Sequence, residues 1–405
     1  MLKDKISKEV VRERLKYPYE IKVRMTERRL SEFITYYGED GVAVSISGGL
    51  DSTAAMHFIH KRYPRVEAVS VLGIECKDNI EMVMKIRDEW GVKVNIAAPR
   101  MSQEAVLKEF GYPVVSKRAA KSISHLQNPT EKNANSRRLA LTGITNEGRY
   151  AKTWILAQKW RFLIDAPFKI SNKCCYYMKE TPVENWRKEN GKASIVATLV
   201  EESQSRLNGY CKRGGCNSFD GQGESTPFSF WTRQDILRYL YENNVEISKA
   251  YGEIAQDEDG NFYTTKTERT GCPICMFGME RDGTPNRFQR MYYEDNRRWQ
   301  QAIFKWGYKE VLDFFIENGF TNYQYYPQEI LEQMAKEMNK ERRKRIAEAL
   351  KLISQAKDIL EEVKDEEQEC YDNLPEGLQN AERGEQMQEN VDNLEEFIGY
   401  LEEVD

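Results

Sequence analysis

Val42-Ala43-Val44-Ser45-Ile46, followed at once by Ser47-Gly48-Gly49-Leu50-Asp51-Ser52, is the stretch that decides the fold. The first part is a short apolar, β-branched run and reads as a buried strand. Ser47-Gly48-Gly49 reads as a turn. Asp51 to about Arg62 reads as a helix with Ala54, Ala55, Phe58 and Ile59 on one face. Glycines in such a turn accept positive φ and let the backbone come close to an anion. Free N–H groups and the helix dipole then favour negative charge at the helix start. Ser47 and Ser52 add hydroxyl donors, and Asp51 either holds Mg²⁺ or caps the loop. The Gly-Lys-Ser/Thr ending of a Walker loop is absent. An ordinary strand-to-helix turn with Asp and Ser as caps would use the same residues.

Outward from this unit the pattern repeats. Val66 to Leu72 reads as a second strand, 78–90 as a helix and Val92 to Ile96 as a third strand. Strands alternating with helices at this spacing predict an α/β fold with a doubly wound parallel sheet. Residues 7–37 read as helical with a break at Tyr17-Pro18-Tyr19, and Thr232 to Asn243 as a helix N-capped by Thr232. Residues 330–368 and 384–403 have helical spacing and are separated by Leu374-Pro375-Glu376-Gly377. The expected organisation is N-terminal helices over 1–37, a nucleotide-binding domain over 38–327, and an α-helical C-terminal appendage, a hairpin, over 328–405.

Composition bounds the rest. Of 405 residues, 31% are charged and 40% hydrophobic, with mean hydropathy −0.72. The expectation is a water-facing, cytoplasmic protein with no membrane span and no secretory leader. Residues 331–405 carry 10 Lys/Arg against 22 Asp/Glu, while residues 1–330 carry 50 against 43. A mildly basic body suits a polyanionic ligand such as nucleotide or nucleic acid. The acidic tail reads as a solvated face or a docking site for a protein partner. Six of the eight Cys fall between 174 and 275. In a reducing compartment, such clustering points to metal binding or catalysis.

Ser-Gly-Gly-x-Asp-Ser after the first strand resembles the PP-loop of the ATP pyrophosphatase, adenine nucleotide alpha hydrolase-like superfamily. Further segments are similar to the phosphoadenosine phosphosulfate (PAPS) reductase family. They are Lys169-Ile170-Ser171-Asn172-Lys173-Cys174-Cys175 with Lys179, Glu201-Glu202-Ser203 with Arg206, and Thr270-Gly271-Cys272-Pro273-Ile274-Cys275. Pro227 to Thr232 and Pro285 to Arg290 look like the branch found near DNA phosphorothioation enzymes. The resemblance covers about residues 15–320. Where that family's substrate loop begins with Gly-x-Arg, this chain has Thr198-Leu199-Val200.

The resemblance implies ATP, or PAPS or APS, bound with Mg²⁺ by Ser47, Gly48, Gly49, Asp51 and Ser52. It places the adenine near Leu72-Gly73-Ile74-Glu75, with Gly73 and Glu75 as contacts. Asp51, Lys173 and Arg206 are the expected catalytic residues. Cys174, Cys175, Cys272 and Cys275 are the implied ligands of a [4Fe–4S] cluster. Adjacent Cys would strain a zinc tetrahedron but can bind different irons of a cubane. Zinc and unliganded thiols are the alternatives. Cys211 and Cys216, beside Lys212 and Arg213, read either as low-pKa thiols or as packing residues. His57 and His60 lie on the helix after the loop and His125 in a Ser-rich loop; none has a catalytic partner pattern.

Three functions fit. The first is adenylating sulfur transfer to an acceptor, with nucleic-acid modification as the analogy and an intact PP-loop in its favour. The second is a sulfonucleotide reductase. It would use Cys370 as nucleophile, although Glu369-Cys370-Tyr371-Asp372 lacks the Gly and His of that motif. The third is a nucleotide- or cluster-sensing regulator.

Overall fold

The computed structural model describes residues 6–379 and 381–402. Its strands are β1 (Val42–Ser45), β2 (Glu67–Ser70), β3 (Val94–Ile96), β4 (Val114–Val115) and β5 (Ala193–Val196). They continue with β6 (Asn217–Ser218), β7 (Glu224–Ser225), β8 (Ile254–Gln256), β9 (Phe262–Thr264) and β10 (Met276–Phe277). β1 pairs in parallel on both sides, with β2 and with β5. A strand covered on both faces needs an apolar run rather than alternation, and Val42, Ala43 and Val44 are fully buried.

The main sheet has the order β3-β2-β1-β5-β7-β6, parallel except for β6 against β7. With flanking helices and a helical C-terminal region, this is the α/β architecture expected from the sequence. β2 leaves β1 on one side and β5 on the other, so the crevice outside their carboxyl ends is the usual place for a ligand. Helix Leu50–His60 follows β1, and helix Lys77–Asp88 follows β2. Gly48 and Gly73 therefore follow strands that run the same way.

The helices before β1, Lys8–Leu15 and Tyr19–Tyr37, pack into the same core as the sheet. Leu30 and Phe33 join Val44, Phe58 and Trp231 there. Lys22 is buried and meets Asp235 at 2.6 Å. Trp231 Nε1 donates to Thr26 Oγ1 at 2.8 Å. Asp235 also completes a capping box with Thr232, which starts helix Arg233–Glu242 as the sequence predicted.

Two small sheets stand apart from the main one: β4 with β10 in parallel, and β8 with β9 antiparallel. His125 lies on helix Lys117–Gln127, not in a loop; Ser116 caps that helix through Ala119 N.

The chain divides into two compact units between Tyr325 and Tyr326. The second is built on helix Gln328–Asp372, 45 residues, or about 67 Å at 1.5 Å per residue. Helix Glu382–Glu402 packs on it, with Val391 and Ile398 buried. The first helix stops before Leu374-Pro375, and a short helix, Glu376–Gln379, stands in the connection. Residue 403 of the expected tail helix lies outside the described residues. Among the described residues no helix is long and apolar enough to cross a membrane.

Candidate functional site

Gly48 has φ +73°, and a Cβ there would sit 2.1 Å from the Asn79 carbonyl oxygen. Glycine is thus required twice at this position, by conformation and by the closeness of the helix after β2. Ser52 Oγ donates to the Gly49 carbonyl at 3.0 Å, and Ser47 N donates to Ser52 Oγ at 3.2 Å. These bonds close the loop over the helix start. Gly49 is the N-cap of helix Leu50–His60, and no side chain caps it. Asp51 is therefore not a cap. Its Oδ1 accepts from Arg233 Nη1 at 2.8 Å. Arg233 was not singled out from the sequence, because it lies 182 positions away.

A cleft of about 410 Å³ opens here, lined by Ser47, Gly49, Asp51 and Ser52 from the loop and by Val196, Ala197 and Leu199 at and beyond the end of β5. Four cations line it, Lys179, Arg206, Arg233 and Arg269, and four carboxylates, Asp51, Glu75, Glu201 and Glu202. Arg206 pairs with Glu202, and Arg269 approaches the same carboxylate at 3.7 Å. Lys179 pairs with Glu75, which is buried. An incoming polyphosphate can exchange these carboxylate partners for its own oxygens, with Arg forks each spanning two. Burial pushes the Asp51 carboxyl above its usual range, against the lowering pull of Arg233, Arg206 and Arg269. Asn79 Oδ1, also in the lining, is buried with no hydrogen-bond partner among the described residues.

Of the other expected site residues, Glu75 faces the cleft and Gly73 lies outside its lining. Arg298 donates to the Gly73 carbonyl and to the Glu75 carbonyl, each at 2.9 Å. This brace holds the turn after β2 and was not legible in the sequence. Replacing it, Arg298→Met, is expected to raise KM for nucleotide roughly tenfold with kcat little changed, since it positions rather than reacts. Steady-state kinetics with varied nucleotide checks it. Lys173 does not line the cleft. It stands over the Phe110 ring at 4.9 Å and lines a separate pocket with Lys117, Tyr176 and Tyr177.

Gly48→Ala is expected to weaken nucleotide binding about 5- to 100-fold, because the positive φ and the Asn79 backbone together cost on the order of 1–3 kcal/mol. Gly49, at φ −77°, would place a Cβ 3.3 Å from Tyr251 Oη. Gly49→Ala should fold normally and act only through phosphate approach. Calorimetric titration with ATP separates the two variants.

The cysteines are gathered by the segment Tyr112–Val115. On one side Tyr112 N donates to the Lys169 carbonyl at 2.9 Å, and Ser171 N to the Tyr112 carbonyl at 3.1 Å. That carries Cys174 and Cys175 alongside. On the other, β10 pairs with β4, and Met276 N donates to the Pro113 carbonyl at 3.1 Å. That brings Cys272 and Cys275. Gly111 permits the approach, since a Cβ there would meet the Lys169 oxygen at 2.4 Å.

All four thiols line one cavity, with Ile74, Met178, Ile274 and Tyr308. Burial pushes the Cys174, Cys272 and Cys275 thiols up, Cys275 to about 12. Neighbouring thiols add to the rise at Cys174 and Cys275. Burial alone would lower Lys179, but Cys272 and Glu75 outweigh it and hold the ammonium protonated. Lys179 lines both the cavity and the cleft. Tyr308 Oη is buried with no hydrogen-bond partner among the described residues. No three His, Cys, Asp or Glu side chains among them are grouped to hold a single metal ion.

Cys216 is buried and bonded to Tyr210 Oη at 3.4 Å. Burial raises its thiol, outweighing the Tyr210 hydrogen bond and Arg29, Arg14 and Arg213, so of the two readings packing holds for this residue. His57 Nδ1 bonds Tyr239 Oη at 2.9 Å, a packing role. Cys370 is exposed near the end of helix Gln328–Asp372.

No protein-family model matches the chain, and no curated protein matches it. Among solved structures it is similar to phosphoadenylyl-sulfate (PAPS) reductase from Candida auris in a phosphate complex. That match has 14% identity over 58% of this chain and 89% of that one, TM-score 0.32. It is similar to NH3-dependent NAD synthetase from Campylobacter jejuni in complex with nitrate, at 12% identity over 57% and 75%, TM-score 0.31. A third is NMN synthetase from Francisella tularensis, at 12% identity over 57% and 72%, TM-score 0.30.

Proposed function

We propose that the chain is a PP-loop enzyme that binds ATP in the cleft and adenylates an acceptor in sulfur transfer. The observation that carries this reading is the cleft itself. An uncapped helix start, a glycine loop and four cations converge outside β1 and β5, with a partly buried carboxylate, Asp51, among them. Asp51 is the group suited to hold Mg²⁺ against the phosphates. Arg206, Arg233 and Arg269 stabilise charge as the α–β anhydride bond breaks and pyrophosphate leaves. An acceptor oxygen bonds to the α-phosphorus in the same step.

The donor set of the second cavity fits a [4Fe–4S] cluster. Four thiols line one cavity, and ligands of a cubane each bind a different iron. The orphaned Tyr308 hydroxyl is a donor for such a group. Cys174, Cys175, Cys272 and Cys275 would hold it, and when bound it supplies redox-active iron. Lys179, shared by cavity and cleft, offsets negative charge in both.

The test is pyrophosphate release from ATP with DNA, RNA and small acceptors in separate arms. Acceptor-dependent release is expected. Sulfite from PAPS or APS with a thiol donor, and no pyrophosphate, would replace this reading by the reductase. Nucleotide binding with neither product would make the chain a regulator.

A further inference from the structure

The positive charge of the first unit is concentrated in one segment. Residues 117–173 hold 12 Lys/Arg against 3 Asp/Glu, whereas the other positions of 1–325 hold 38 against 39. The segment is packed together. Helix Lys117–Gln127 packs against helix Ala134–Thr142 and the turn Gln158–Asp165, and Leu156 N donates to the Ala140 carbonyl at 2.8 Å.

Most of these cations have no carboxylate. Among the described residues only Lys117, Arg149 and Lys159 form ion pairs, with Glu180, Glu147 and Glu280. Arg137, Arg138 and Arg161 donate to amide and carbonyl oxygens, which leave their charge uncompensated. Arg118, Lys121, Lys132 and Lys152 are exposed and form neither kind of bond among the described residues.

Exposed aromatics sit among the charges. Tyr150 is 67% exposed, Trp154 52% and Tyr176 49%. Arg149-Tyr150-Ala151-Lys152-Thr153-Trp154 alternates cation and ring. At the Lys173 end, Tyr177 stacks on Phe110 with centroids 4.3 Å apart, in the pocket that Lys117, Lys173 and Tyr176 line. The turn that carries Lys173 and Tyr176 also carries Cys174 and Cys175.

We propose that residues 117–177 form a binding surface for single-stranded nucleic acid; its role as the acceptor's docking surface rests on the adenylation reading above. Unpaired cations track a phosphate backbone and release its counterions. Exposed rings accept unstacked bases, a chemistry that every base offers and a duplex withholds. A membrane surface would want a continuous apolar face, but here the rings are isolated by charges. An acidic protein would need the cations and leave the rings unused.

The test uses the full chain and a fluorescent single strand of about 20 nucleotides, DNA and RNA in turn, without ATP. Anisotropy is read across a salt series. The combined variant Arg118→Glu, Lys121→Glu, Lys132→Glu and Lys152→Glu is expected to bind more weakly. Its salt slope should be shallower by about 0.7 for each phosphate that is no longer neutralised. Trp154→Ala is expected to lower single-strand affinity about 5- to 100-fold with duplex affinity unchanged. Retained ATP binding in each variant shows that it folds.

The inference is overturned if the charge variant and Trp154→Ala both bind the strand as the wild type does. It is also overturned if polyglutamate or phosphatidylserine vesicles bind as tightly as the strand. Wild-type protein that releases pyrophosphate but binds no strand overturns this inference alone. Strand binding with no pyrophosphate from any acceptor overturns the adenylation reading alone.

Discussion

Asp51→Asn is expected to cut pyrophosphate release by about 10³-fold or more while leaving the fold intact. The carboxylate is the one acidic group of the loop that faces the cleft, and it is held by Arg233 at 2.8 Å. An amide keeps an oxygen for that Arg but loses the charge that would hold Mg²⁺ against the phosphates. The ion pair is partly exposed, with 23% of the Asp51 side chain and 30% of the Arg233 side chain accessible. Its loss therefore costs only about 1 kcal/mol of stability. A coupled pyrophosphate assay and a denaturant melt read the two effects separately. A variant that releases pyrophosphate at the wild-type rate would reduce Asp51 to a structural partner of Arg233.

The same pair sets a pH dependence. Burial raises the Asp51 carboxyl, and Arg233 is the foremost of the groups that lower it. The deprotonated form is the one that binds a cation. Activity should therefore fall on the acid side at a pH above the ordinary Asp value of about 3.9. Arg233→Gln removes the lowering charge, so the acid limb should move to higher pH. A limb that stays in place would mean another group titrates.

How much of this was readable in the sequence depends on distance along the chain. The strand–loop–helix around Gly48 and the N-cap at Thr232 are local, and both were legible. Asp51 was legible as a loop residue at the helix start but not its partner, because Arg233 comes from another helix. Arg298, which reaches the turn after β2 from helix Asn296–Gln300, and Asn79 behind Gly48 were hidden for the same reason. The cysteine spacing named four thiols. Nothing in it showed that Tyr112–Val115 is the strip on which their two segments meet, since β4 and β10 have two residues each. Two-residue strands carry no periodicity to detect. At Cys216 two readings stayed open in the sequence, because Lys212 and Arg213 are its neighbours there. Burial outweighs the nearby charges at the thiol, and burial is a tertiary property.

The cysteine cavity gives the other large expected effect. Protein purified without oxygen is expected to be brown and to hold about four irons per chain. Cys174→Ser, Cys272→Ser and Cys275→Ser should each bring iron close to zero and bleach the absorbance. Cys216→Ser and Cys370→Ser should leave both unchanged, since Cys216 is bonded to Tyr210 and Cys370 is exposed on the helix of the second unit. The contrast matters because a general loss of folding would remove iron from every variant. The thiols that burial raises must lose their protons to bind iron, so loading should release protons and fail at low pH. Lys179→Met adds a further readout. The ammonium meets Cys272 and Glu75 at the wall between cavity and cleft. Removing it should shift the cluster's potential downward, because a nearby positive charge favours the reduced, more negative state. Colourless protein carrying one zinc per chain, lost on the same three substitutions, would replace the cluster by a metal ion.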